Sequence, residues 1–87
     1  TDRPALDWYL KRSERAAARF LSEIDTAIIL IRESPSAWPL FESGTRRYVV
    51  HGFPYSVIYR ELPDSLQVLA VAHHKRRPGY WRSRPDA

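Results

Sequence analysis

The chain has 87 residues, a length that suits one small domain around a single core. It holds no cysteine, which excludes disulfides, thiolate metal sites and a cysteine nucleophile. Its net charge is +4 and unevenly spread: residues 1–43 carry six Lys/Arg against seven Asp/Glu, and residues 44–87 carry eight against three. A basic half reads as a surface for an anionic partner, either nucleic acid or an acidic protein segment.

The chain opens with Thr1 and Asp2, each able to cap a helix, and with Pro4, tolerated in a first turn. Leu6, Tyr9 and Leu10 follow at helical spacing. Residues 11–13 break that pattern, and Ser13 is a good N-cap for a second helix. There Ala17, Phe20, Leu21, Ile24, Ala27, Ile28 and Ile31 recur at three- and four-residue steps, forming one apolar stripe. Arg15, Arg19, Ser22, Glu23 and Thr26 lie largely on the opposite side. Ser34–Pro35 stops the helix, because the residue before proline avoids helical dihedrals. Residues 1–34 are therefore expected to form a helical hairpin. The longest apolar run, residues 27–31, falls far short of the roughly 20 residues that span a bilayer. No basic-then-apolar leader pattern is visible either. The expectation is a soluble, cytoplasmic protein with no membrane contact.

After a connector with two prolines, residues 46–51, 55–61 and 66–73 are rich in β-branched and aromatic side chains. Gly52–Phe53–Pro54 separates the first two runs. Residues 62–65 separate the next two, with Pro63–Asp64 suited to the middle of a tight turn. Loops this short imply antiparallel neighbours. The expected class is α+β, a helical hairpin packed on a three-stranded antiparallel meander over residues 45–73. Strict alternation places Val57 and Tyr59 on one face, with Ser56, Ile58 and Arg60 on the other. In the last strand it puts Leu66, Val68, Ala70 and Ala72 on one face, and Gln67, Leu69, Val71 and His73 on the other. A strand apolar on both sides is usually central or covered on both faces. Trp38–Pro39 reads as a cover over one end of the core. Residues 74–87 form a basic aromatic tail, and residues 1–87 together read as one domain.

The residues able to carry chemistry or binding cluster late in the chain: Arg46, Arg47, Arg60, His73, His74, Lys75, Arg76, Arg77, Tyr80, Trp81 and Arg82. Each has an ordinary reading beside the functional one. Arg46 and Arg47 are adjacent on a strand, so only one faces the functional side. For the same reason His73 and His74 are poorly placed to hold one ion and read as structural or surface histidines. Arg76–Arg77 suits a phosphate or an acidic helix, or simply a solvated strand end. Tyr80–Trp81 suits a base stack or a tail pinned by its rings. His51 reads as a solvated loop residue. No phosphate loop, zinc spacing, calcium loop or nucleophile elbow is present, so no metal or cofactor is expected.

Several local stretches resemble the RelE/ParE superfamily of toxins from type II toxin–antitoxin systems. Gly44–Thr45–Arg46–Arg47–Tyr48 opens the first strand, and residues 53–60, Phe-Pro-Tyr-Ser-Val-Ile-Tyr-Arg, make the second. Residues 71–81, from Val71 through His73–His74–Lys75–Arg76–Arg77 to Tyr80–Trp81, end the third and enter the tail. Trp8–Tyr9 and Ser34–Pro35 also fit. The superfamily pattern opens with a β-strand ahead of the first helix, whereas residues 1–87 begin at that helix. The resemblance therefore implies a sheet edge that needs cover.

The resemblance also implies a cognate antitoxin, joined with the toxin in a hetero-oligomer that contacts operator DNA only through the antitoxin. It leaves two targets. ParE-like members, plasmid stabilisation proteins among them, poison DNA gyrase. RelE-like members cleave messenger RNA on the ribosome. Cleavage without a metal needs a base, phosphate-orienting cations and an acid. The inventory for such chemistry is Arg46, Arg47, Tyr55, His73, His74, Lys75, Arg76, Arg77 and Tyr80, of which Arg47, His73, Lys75, Arg77 and Tyr80 are the nuclease candidates. Antitoxin- or target-binding candidates are Arg46, Arg47, Arg60, His74, Arg76, Arg77, Tyr80, Trp81 and Arg82. The nuclease branch carries a basic residue just after the tyrosine of the second strand and alternating lysines on the first. Here Ser56 follows Tyr55, and Val49 takes the place of the second lysine. Losing one positioned donor typically costs ~10²–10³-fold in rate, so the balance favours the gyrase reading. A plain DNA-binding module lacks support, since neither helix gathers its basic residues on one face.

Overall fold

In a computed structural model of the protein, residues 3–75 are described. Helix α1 spans Arg3–Arg12 and helix α2 spans Glu14–Glu33. Between them Ser13 takes an extended conformation and its side chain accepts the Ala16 N–H at 3.2 Å. That bond satisfies one of the free donors of the first turn, as the sequence predicts for this position. The stripe on α2 turns inward, and Ala17, Phe20, Ile24, Ala27 and Ile31 are buried. Ser34 closes the helix ahead of Pro35.

The connector contains a short 3₁₀ turn, Glu42–Gly44, where Ser43 (φ 57°) and Gly44 (φ 73°) are left-handed. Thr45, buried, locks the exit by donating its hydroxyl to the Glu42 carbonyl at 2.6 Å. Strands β1 (Arg46–Val49), β2 (Tyr55–Leu62) and β3 (Ser65–His73) then form an antiparallel sheet in the order β1-β2-β3. The first strand is two residues shorter than the sequence predicts. At Val50 the chain already turns, with the Phe53 N–H reaching the Val50 carbonyl, and Gly52 (φ 79°) needs the conformational freedom of glycine.

The helices cover one face of this sheet. Ala5, Phe20, Ile24, Ala27 and Ile31 share a core with Tyr48, Val50, Val57, Tyr59 and Val71. Trp38 packs on its end, edge-on to Tyr48 with centroids 4.7 Å apart, in the covering position expected for it. The other face holds a smaller buried cluster of Ile58, Ala70 and Ala72, with Phe41 and Leu69 against it.

One expectation needs correction. The register slips between Ile58, paired with Ala70, and Tyr59, paired with Val68, so Leu69 is an extra residue in β3. This bulge resets the alternation. Leu66 and Val71 thus lie on the helix side, while Ala70 and Ala72 lie on the outer side with Ile58. A strict two-residue period had grouped Ala70 and Ala72 with Leu66. The central position belongs to β2, while β3, apolar on both sides, is an outer strand of the three.

Candidate functional site

Pairing across the sheet assigns each cation to a face. Arg46 lies opposite Tyr59 on the helix side. Its Nε donates to Glu61 Oε1 at 2.9 Å and its Nη1 to the Trp38 carbonyl at 2.7 Å. Ser36 Oγ donates to the same carboxylate at 3.0 and 3.2 Å, and the Tyr59 hydroxyl donates to the Pro35 carbonyl. These bonds fasten the connector to the sheet, so the Arg46 guanidinium is occupied within the fold. Burial raises the Tyr59 pKa above its ordinary 10.0; Arg46 opposes the shift and Glu61 adds to it.

Arg47 and Arg60 belong to the outer face. Arg47 lies opposite Ile58, and its guanidinium sits 5.0 Å from the centre of the Phe41 ring, in cation–π range. Arg60 lies opposite Gln67. Neither side chain enters an ion pair among the described residues. Thus the two neighbouring arginines do divide between the faces, as alternation requires.

At the far end of the sheet Tyr55 points into the helix side. Its ring lies 5.4 Å from that of Phe20 and 6.4 Å from that of Tyr9, and His73 packs edge-on against it at 4.9 Å. Tyr9 stacks on Phe20 at 5.1 Å, and burial raises its pKa. The Lys75 N–H donates to His73 Nδ1 at 3.0 Å, making that nitrogen an acceptor. Next in the chain, His74 reaches the opposite face, where its Nε2 lies 2.8 Å from Ser56 Oγ. The two histidines therefore work on different faces. Ser56 is only 1% exposed, so this hydrogen bond satisfies a buried hydroxyl. Sequence reasoning treated Ser56 only as a missing cation. Its pairing with His74 needed the register, which joins Ser56 to Ala72 two residues before His74.

The cross-strand row Val49–Ser56–Ala72 on the outer face thus carries no cation, acid or free base. Tyr55 and His73, both in the nuclease inventory, lie together on the helix side, away from Arg47. His51 is exposed beside the β1–β2 turn. Arg76, Arg77, Tyr80, Trp81 and Arg82 lie outside the described residues. Among the described residues no three His, Asp or Glu side chains come together as metal ligands, and no helix is long and apolar enough to cross a membrane.

Fold and site define a small α+β protein in which helices close one sheet face, while on the other face Arg47 and Arg60 meet no counter-charge among the described residues. The family described as the ParE toxin of the type II toxin–antitoxin system parDE matches residues 2–78, and the chain belongs to this family. It is therefore a toxin of the type II toxin–antitoxin class, a class defined by pairing with a cognate antitoxin. No curated protein and no solved structure gives a significant match to the chain.

Proposed function

We propose that this toxin inhibits growth by binding DNA gyrase and trapping it on broken DNA, and that it does not cut messenger RNA. The row Val49–Ser56–Ala72 carries this reading. Ribonuclease chemistry needs cations and an acid–base pair converging on one phosphate. On the outer face the middle of the sheet offers a valine, an alanine and a buried serine already bonded to His74. A protein-binding inhibitor needs only a complementary surface, with no assembled reaction centre. In this reading the toxin acts in the cytoplasm, held by its antitoxin in a hetero-oligomer, and meets operator DNA through the antitoxin. Residues 1–87 act as one unit, without a metal or cofactor.

The test is expression of the chain in bacteria without antitoxin, with transcript ends and gyrase-linked DNA breaks mapped in the same culture. Breaks, induction of the DNA-damage response and intact transcripts are expected. Codon-phased transcript cleavage without breaks would overturn the reading and assign the chemistry to the cations from Lys75 onward.

A further inference from the structure

The cations of the two helices are not spread evenly. Lys11, Arg12, Arg15 and Arg19 fall in a stretch, residues 11–19, with a single carboxylate, Glu14. Residues 23–42 reverse the balance, setting Arg32 against Glu23, Asp25, Glu33 and Glu42. The four cations therefore sit where α1 ends and α2 begins. Ring contacts tie this corner to the β1–β2 turn. The Arg12 guanidinium lies 4.0 Å from the centre of the Trp8 ring. Trp8 meets Tyr9 at 4.8 Å, Tyr9 meets Phe53 at 5.2 Å, and the Arg19 guanidinium lies 5.5 Å from the Phe53 ring. The strand ends bring more charge to the same end of the molecule. His51 is exposed beside the turn, the His74 N–H donates to the Pro54 carbonyl at 2.9 Å, and Lys75, also exposed, follows it. Carboxylates gather at the opposite end, where Glu33 closes α2, Glu61 holds Ser36, and Asp64 lies between β2 and β3. Near the corner, neither Asp7 nor Glu14 enters an ion pair among the described residues.

We propose that this helix corner binds the phosphate backbone of duplex DNA, with Arg12 and Arg19 as its fixed contacts. Both guanidiniums are held over rings and not by carboxylates, so their N–H edges can fork onto phosphate oxygens. A side chain already in place loses less freedom on binding. Lys11, Arg15 and Lys75, all exposed, add charge around them. Contacts of this kind position a duplex without reading its sequence. An acidic protein would meet the same charges. Protein interfaces, however, gather apolar rings at a centre depleted of charge, and here the exposed ring, Trp8, is itself capped by a guanidinium. Within the gyrase reading the duplex is the DNA on which the enzyme is trapped, and the proposal rests on that reading for the source of the DNA only. Recognition of the operator sequence stays with the antitoxin.

The probe is a fluorescently labelled duplex of mixed sequence, titrated with the full chain and followed by anisotropy at several salt concentrations. Counterions released from about three phosphates predict a slope of log affinity against log salt near −2.7. Arg12→Ala and Arg19→Ala are each expected to weaken binding and to bring that slope about 1 unit nearer zero. Trp8→Ala keeps the net charge but removes the ring under Arg12, and it is expected to weaken binding as well, which bulk charge alone would not produce. Arg32→Ala removes an equal charge from the far end of α2 and is expected to leave binding unchanged. These four side chains are exposed, so each variant should keep the parent's circular dichroism. Absent or salt-independent binding overturns the proposal, as does an equal loss in Arg32→Ala. Displacement of the duplex by polyglutamate at lower concentration than by unlabelled duplex also overturns it and makes the corner a protein site. The two readings fail separately. A chain that produces gyrase-linked breaks in cells but does not bind the duplex overturns this proposal alone. A chain that binds the duplex but produces no breaks counts against the gyrase reading alone.

Discussion

On the helix side of the sheet, Tyr48, Val57 and Tyr59 share one cluster with Phe20, Ala27 and Ile31, and the cation on that side, Arg46, is matched by Glu61. On the outer side the buried centre is one isoleucine and two alanines, and the cations Arg47 and Arg60 have no described counter-charge. The same strands build both faces. The difference lies in what each face presents to a partner. Large rings against a long amphipathic helix finish one surface, whereas on the other the described residues set small side chains beside two arginines without a described carboxylate. Two arginines adjacent in sequence take opposite parts in this division, one fastening the fold and one facing outward.

The sharpest way to break the comparison is at the helix side. Phe20, fully buried, touches the rings of Tyr9, Phe53 and Tyr55. Phe20→Ala is expected to cost about 3–5 kcal/mol in urea unfolding. For a chain whose whole stability is on the order of 5–15 kcal/mol, that leaves little folded protein. A loss under about 1 kcal/mol would mean that this aromatic cluster does not hold the hairpin to the sheet.

Smaller effects test the polar clasp. Tyr59→Phe removes the bond to the Pro35 carbonyl and is expected to cost about 1 kcal/mol at neutral pH in thermal unfolding. The same residue predicts a pH dependence. Its folded-state pKa is raised above 10.0, so the folded protein holds that proton more tightly than the unfolded chain does. The stabilisation is complete below pH 10 and is lost as pH climbs past it. Stability should fall steeply in that alkaline range and less steeply in Tyr59→Phe, with Tyr9→Phe removing a further part of the slope.

Gly52→Ala is expected to cost about 1 kcal/mol, because an L side chain at φ 79° is strained although its nearest neighbour, Arg19, stands off at 3.6 Å. Denaturant midpoints at constant slope would measure it.

The finest test compares the paired arginines directly. Arg46→Ala is expected to lower stability by about 1 kcal/mol and Arg47→Ala by less than about 0.5 kcal/mol. Equal losses would show that the outer cation is also fixed within the fold.

Much of this architecture can be read from the residues. Ser13 and Ser34–Pro35 bound α2 through local chemistry, and the stripe from Ala17 to Ile31 marks its buried face at a helical period. The short loops around Gly52 and Pro63 identify the meander. The division of Arg46 from Arg47, and of His73 from His74, follows from the two-residue period of a strand. What escaped is non-local. The bulge at Leu69 has no proline or glycine to announce it, yet it moves Ala70 and Ala72 to the other face. Glu61 could not be matched to Arg46, nor Ser56 to His74, before the register was known, since those pairs lie 15 and 18 residues apart. The candidate site was legible as a list of cations and illegible as a surface. Which cations stay unmatched depends on the carboxylates that the fold brings to them.

Trp38 also makes the seating of the connector visible by its fluorescence. The sequence has three tryptophans. Trp8 is half exposed, with the Arg12 guanidinium 4.0 Å from its ring centre. Trp38 rests edge-on against Tyr48, and its indole N–H is buried with no acceptor among the described residues. An indole so shielded emits to the blue of one in water. Because the Trp38 carbonyl is tied to Arg46 and Leu40 lies two residues further on, its emission reports how firmly the connector is seated against β1. In a chain carrying Trp8→Phe and Trp81→Phe, a colour change on adding antitoxin would reveal movement at that seam without any attached label.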